Sequence, residues 1–139
     1  MLPTKSWRVE FDERAPIYQQ IIDRFCRSLV RGELAPGERI LSIRELAMDL
    51  QVNTNTVQRA YQEMERKNMI FSKRGTGYFI VNDPSLPERM KQIMVRETTS
   101  RFVSEMNALG FTDEQILSEL KAQLQGEEKE HATYDNQGA

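Results

Sequence analysis

Ser42-Ile43-Arg44-Glu45-Leu46-Ala47-Met48-Asp49-Leu50-Gln51-Val52-Asn53-Thr54-Asn55-Thr56-Val57-Gln58-Arg59-Ala60-Tyr61 contains two helix starts separated by a very short turn. Ser42 followed by Glu45 fits a capping box, in which the serine hydroxyl closes a free N–H of the first turn and the glutamate reaches back to the Ser42 amide. Ala47 and Leu50 continue that helix, and Gln51-Val52-Asn53 turns the chain. Thr54-Asn55-Thr56 opens a second helix, on which Val57, Ala60, Tyr61 and Met64 recur at the spacing of one buried face. Two helices joined this tightly must cross rather than run side by side.

The chain then reverses. Met69-Ile70-Phe71 and Tyr78-Phe79-Ile80-Val81 are rich in aromatic and branched residues, and Lys73-Arg74-Gly75-Thr76-Gly77 between them supplies the glycines of a hairpin. Crossing helices followed by a hairpin with two cations at its tip outline a winged helix-turn-helix, whose second helix suits the DNA major groove. The expected fold class is α+β, with an N-terminal winged helix-turn-helix followed by a short all-α C-terminal dimerisation region.

Upstream, Pro16 suits the first turn of a helix whose Ile17, Ile21, Ile22, Phe25, Leu29 and Val30 form an apolar stripe ending at Gly32. Cys26 lies one step from that stripe, as a small buried or half-buried residue. Leu34-Ala35-Pro36-Gly37 breaks the chain, and Ile40-Leu41 can add a minimal third strand beside the wing. Trp7, Val9 and Phe11 alternate with Arg8 and Glu10, which predicts a short strand or an extended arm.

Downstream, the prolines of Asn82-Asp83-Pro84-Ser85-Leu86-Pro87 predict a linker. Residues 1–81 are therefore expected to form the DNA-binding domain, 82–87 the linker, 88–125 a helical dimerisation region and 126–139 a disordered polar tail. Met90, Ile93, Met94, Phe102, Val103, Met106 and Leu109 give the first C-terminal helix a broken apolar face, closed by Gly110. Thr112-Asp113-Glu114-Gln115 repeats the capping-box pattern, and Leu117 and Leu120 join Ile116 and Leu124 on a final short helix. Two short helices cannot bury both apolar faces against each other and stand alone. They need a partner surface, either the winged domain or a second copy of themselves. A homodimer is the preferred expectation, because a palindromic site read by two heads requires it.

With 139 residues, 39% of them hydrophobic, the chain can bury a modest core but no large catalytic architecture. Its apolar runs fall far short of the ~20 residues of a membrane span, and the N-terminus lacks the apolar block of a signal peptide, so a soluble cytoplasmic protein with no membrane contact is expected. Cys26 is the single cysteine and cannot form an internal disulfide. There is no Ser-His-Asp or Cys-His set, no phosphate-cradling glycine loop and no clustered metal ligands, so no enzyme activity, cofactor or metal is expected. The formal charge of −2 is unevenly spread: Arg59, Arg66, Lys67, Lys73 and Arg74 outnumber Glu63 and Glu65 between Asn53 and Val81, while the excess of acids lies beyond Pro84.

Five segments carry a family resemblance: Pro16-Ile17-Tyr18-Gln19-Gln20-Ile21, Gly32-Glu33-Leu34-Ala35-Pro36-Gly37-Glu38-Arg39, Ser42-Ile43-Arg44-Glu45-Leu46-Ala47, Asn55-Thr56-Val57-Gln58-Arg59-Ala60-Tyr61 and Gly75-Thr76-Gly77-Tyr78-Phe79. In order and spacing they resemble the GntR family of bacterial transcription regulators, and the short helical C-terminal part is similar to the YtrA-type subfamily. The resemblance implies a dimeric repressor of an inverted-repeat operator, of a kind often encoded beside membrane transporters. The chain departs from the family at Leu41, where a proline is common, and at Gln51 and Asn68, where glycines are common. It also has Thr54 and Gln58 where some relatives carry arginines.

Arg44 is the first candidate for DNA contact, since a guanidinium can fork onto guanine or clamp a phosphate. The bland alternative is an ion pair with Glu45 or Asp49. Ser42 is first a cap and second a phosphate contact. Thr54, Asn55 and Thr56 stand where a recognition helix meets phosphate and base edge, with Thr56 equally placed to cap the helix. Asn55 and Gln58 suit adenine, while Arg59 can reach DNA or pair with Glu63. Lys73, Arg74, Thr76 and Gly77 form the wing tip, against the alternative of an ordinary solvated turn. A winged domain used only for protein contact is the competing function. Relief of repression is left open between an unidentified small-molecule effector and a signal carried by another partner.

Overall fold

The computed structural model describes residues 11, 13 and 15–137, with side chains through residue 126. Most of the alternating segment from Trp7 to Phe11 therefore lies outside the described residues. The elements are α1 (Ile17–Val30), β1 (Arg39–Ile40), α2 (Ile43–Leu50), α3 (Thr54–Arg66), β2 (Ile70–Lys73), β3 (Gly77–Ile80), α4 (Leu86–Ala108) and α5 (Asp113–Gln137). The chain divides into two compact units, one up to Ile93 and one from Met94.

In the first unit, α3 packs on both α1 and α2. Pro16 sits as the residue before α1 rather than inside its first turn. The stripe inferred for α1 buries Ile21, Phe25 and Leu29 completely, and Cys26 lies buried beside them. After α1, Gly32 adopts φ +78, and the Glu33 N–H donates to the Ser28 carbonyl at 2.9 Å, the closure that lets a helix end on a left-handed residue.

The sheet is antiparallel and three-stranded, in the order β1-β3-β2. Its third strand pairs Arg39 with Phe79 and Ile40 with Tyr78, one residue earlier than the Ile40-Leu41 expectation. The reason is local: the Leu41 carbonyl accepts the Tyr61 hydroxyl at 2.5 Å, and the next residue, Ser42, already caps α2. Ile40, Ile70 and Ile80 are buried on the inner face of the sheet, and Tyr78 meets Tyr61 edge to face at 4.9 Å.

The proline-bearing linker begins as a tight turn and then becomes helix. Asp83 accepts from the Ser85 amide and hydroxyl, Arg89 reaches Asp83 at 2.6 Å, and α4 starts at the buried Leu86. Pro87 falls in the first turn, where its missing N–H has no helical partner to lose, so it does not hold the helix back to residue 88. The Ser85 hydroxyl is the main influence holding the Asp83 carboxyl below its usual range.

In the second unit, Thr112 and Gln115 form the reciprocal capping box: the Gln115 amide donates to Thr112 Oγ1 at 3.3 Å, and Gln115 Oε1 accepts from the Thr112 amide at 2.9 Å. Helix α5 continues to Gln137, through a segment whose polarity predicts disorder. Glu, Gln, Lys and Ala are all good helix formers, and a polar run lacking Gly and Pro until its end extends an existing helix without an apolar face.

Candidate nucleic-acid interface

Two helix starts and one turn position the candidate residues. Ser42 Oγ accepts from the Glu45 amide at 3.1 Å, which closes the first turn of α2 and presents Arg44 outward in that same turn. Among the described residues, no carboxylate lies within ion-pair distance of Arg44, and Asp49 Oδ2 is buried without a hydrogen-bond partner. The ion pair weighed against a DNA role for Arg44 is thus not formed.

Between the helices, Gln51 takes φ +57, so the turn is made by a left-handed non-glycine residue where the family commonly places glycine. Asn53 then caps α3, its Oδ1 accepting from the Asn55 amide at 2.8 Å. This corrects the capping role considered for Thr56, which lies inside the first turn. The sequence signal was the Asn immediately before Thr54, a strong N-cap type.

Val57, Ala60, Tyr61 and Met64 of α3 are fully buried, which turns Thr54, Asn55, Gln58 and Arg59 to the exposed side, with Thr56 half-buried between. Burial is the main cause pushing the Tyr61 phenol far above its ordinary pKa, so Tyr61 stays a neutral donor to Leu41. An exposed polar face is therefore held on a helix whose opposite face is core.

Arg59 has a partner that the sequence did not suggest. Its guanidinium carbon lies 4.0 Å from the centroid of the Tyr18 ring on α1, with Nη2 donating to the Tyr18 hydroxyl at 3.4 Å. Glu63 pairs instead with Arg66 at 2.8 Å, and that hydrogen bond lowers the Glu63 carboxyl pKa. The Arg59–Glu63 pair is replaced by a cation over an aromatic face, which still leaves guanidinium edges exposed.

At the wing, the Thr76 amide donates to the Lys73 carbonyl at 2.9 Å, and Gly75 at φ +77 and Gly77 at φ +121 occupy conformations that side chains avoid. Lys73, Arg74 and Thr76 are exposed. Arg39, not singled out from sequence, comes up to this turn from β1: a Cβ on Gly77 would stand 3.3 Å from its Nε.

Among the described residues no helix is long and apolar enough to cross a membrane. Residues 17–80 match the family described as bacterial regulatory proteins, gntR family. Over 117 residues the chain is 40% identical to the HTH-type transcriptional regulator YhcF of Bacillus subtilis, covering 84% of this chain and 97% of that one. It is 32% identical over 127 residues to the HTH-type transcriptional repressor YtrA of the same organism, covering 87% and 98%. A solved GntR family transcriptional regulator from Listeria monocytogenes superposes with a TM-score of 0.73 at 38% identity, over 81% of this chain and 98% of that one. These relatives are regulators rather than enzymes, and the matches extend past the wing into the helical C-terminal part. The chain belongs to the GntR family of bacterial regulatory proteins and is a DNA-binding helix-turn-helix transcriptional regulator with YtrA-type relatives.

Proposed function

We propose that the protein is a cytoplasmic homodimeric repressor that places two α3 helices in successive major grooves of an inverted-repeat operator and so blocks transcription. One observation carries the dimer: in the second unit Leu109, Leu117 and Leu124 are 72%, 66% and 56% exposed, open apolar side chains that a second copy would cover. In this reading residues 1–81 read DNA, 82–87 connect, and 88–125 dimerise through Met90, Ile93, Met94, Phe102, Met106, Leu109, Leu117 and Leu120.

Arg44, Asn55 and Gln58 would address base edges, and Ser42, Thr54, Thr56, Lys73, Arg74, Thr76 and Gly77 the backbone or minor groove. Arg59, already stacked on Tyr18, is assigned a phosphate. The name of the relative YtrA supports repression, and the resemblance to YtrA-type regulators supports a transporter operon as target.

The test combines mass in solution with selection of bound duplexes from a random pool. The expected result is a mass twice that of the chain and a selected inverted repeat, with affinity falling steeply as salt rises. A monomeric mass with a single selected half-site would overturn the proposal.

A further inference from the structure

We propose that Arg39 is a third cation of the wing, a phosphate contact supplied by the neighbouring strand. Arg39 pairs with Phe79, and Phe79 with Phe71, so these three share the sheet face opposite the buried Ile40, Ile70 and Ile80. From that face the guanidinium runs toward the turn, where a Cβ on Gly77 would meet Nε at 3.3 Å and Nη2 at 3.4 Å. Gly77 pairs with Lys73, so the Arg39 head group stands at the base of the turn that carries Lys73 and Arg74. The missing side chain at Gly77 is what leaves it room.

A second feature locates Arg39 relative to the helices. It lines one open cleft together with Glu45, the neighbour of Arg44 in the first turn of α2. Arg39 thus lies between the two elements that flank the recognition helix in the chain and carry its outer cations. It is exposed, and among the described residues no carboxylate is within ion-pair distance of it. A guanidinium beside the Gly77 backbone, with no carboxylate among the described residues within ion-pair distance, has donors to offer, and phosphate oxygens match their fork.

This inference rests on the wing's contact with DNA and is tested against it. Binding of the full chain to a labelled 30-bp duplex of random sequence is titrated with KCl for the parent, Arg39→Gln, Arg39→Lys and, as a control for loss of charge elsewhere, Arg31→Gln at the end of α1. Arg39→Gln is expected to make the slope of log K against log salt shallower by about one, with thermal stability unchanged. Arg39→Lys should keep the parental slope, and Arg31→Gln should leave it unaltered. A parental slope in Arg39→Gln would overturn the assignment while leaving the DNA interface intact, as would equal losses in Arg39→Gln and Arg31→Gln. A flat response in the parent itself would instead overturn the phosphate-contacting wing on which the inference depends.

Discussion

The two units of this chain bury their apolar residues differently. In the first, Ile21, Phe25, Leu29, Val57, Tyr61 and Met64 are all fully enclosed by the chain itself. In the second, Ile116 is buried, but Leu109 in the turn after α4 and Leu117, Leu120 and Leu124 on α5 stand open. A helix gains most of its stability from packing an apolar face, so the first unit encloses its own core while the second leaves part of its apolar surface open.

The largest expected effect tests the self-contained half of that contrast. Tyr61→Ala removes a buried ring that touches Tyr78 and holds the Leu41 carbonyl, and should cost about 3 to 5 kcal/mol of stability in urea denaturation. A loss under about 1 kcal/mol would mean that the winged unit is far less tightly packed than the full burial of Tyr61 indicates.

Replacing Leu117 and Leu120 together by Glu tests the open half. The proposed dimer should weaken by about 2 to 4 kcal/mol, seen as halved mass in sedimentation, while the winged unit keeps its unfolding transition. An unchanged mass would move the dimer seam elsewhere or remove it.

Arg44→Ala sharpens the division of labour within the first unit. Specific duplex binding should fall by about 1 to 3 kcal/mol with no change in melting temperature, and equal binding by the mutant would remove Arg44 from the interface. The smallest effect separates the cap from its neighbour: Asn53→Ala should lower stability by about 1 kcal/mol, measured by denaturation, and Thr56→Ala by less. The reverse order would return the capping role to Thr56.

Much of the chain was legible because its signals are short-range. Ser42 with Glu45, and Thr112 with Gln115, each settle a helix start within four residues, and the apolar period of α3 picked out its buried face. Where the reading fell short, a local rule met a competing one. Pro87 looked like a breaker until its place in the first turn of α4 made it harmless, and polarity beyond Gly126 stood for disorder although the residues there favour helix. The candidate site was readable as a set of positions on the first turn of α2, the start of α3 and the wing. Its neighbours Tyr18 and Arg39 were not, since nothing near either residue announces a partner.

By itself the amino-acid order determined the Ser42 and Thr112 helix starts, the buried face of α3 and the hairpin with its glycine turn, because each depends on dihedral preferences and periodicities acting over a few residues. Tertiary structure alone decided that Tyr18 lies under Arg59, 41 positions away, that Arg39 fills the space beside Gly77, and that Tyr61 ties α3 to Leu41. Those meetings follow from how helices and strands pack, and packing joins side chains according to shape and burial rather than distance along the chain.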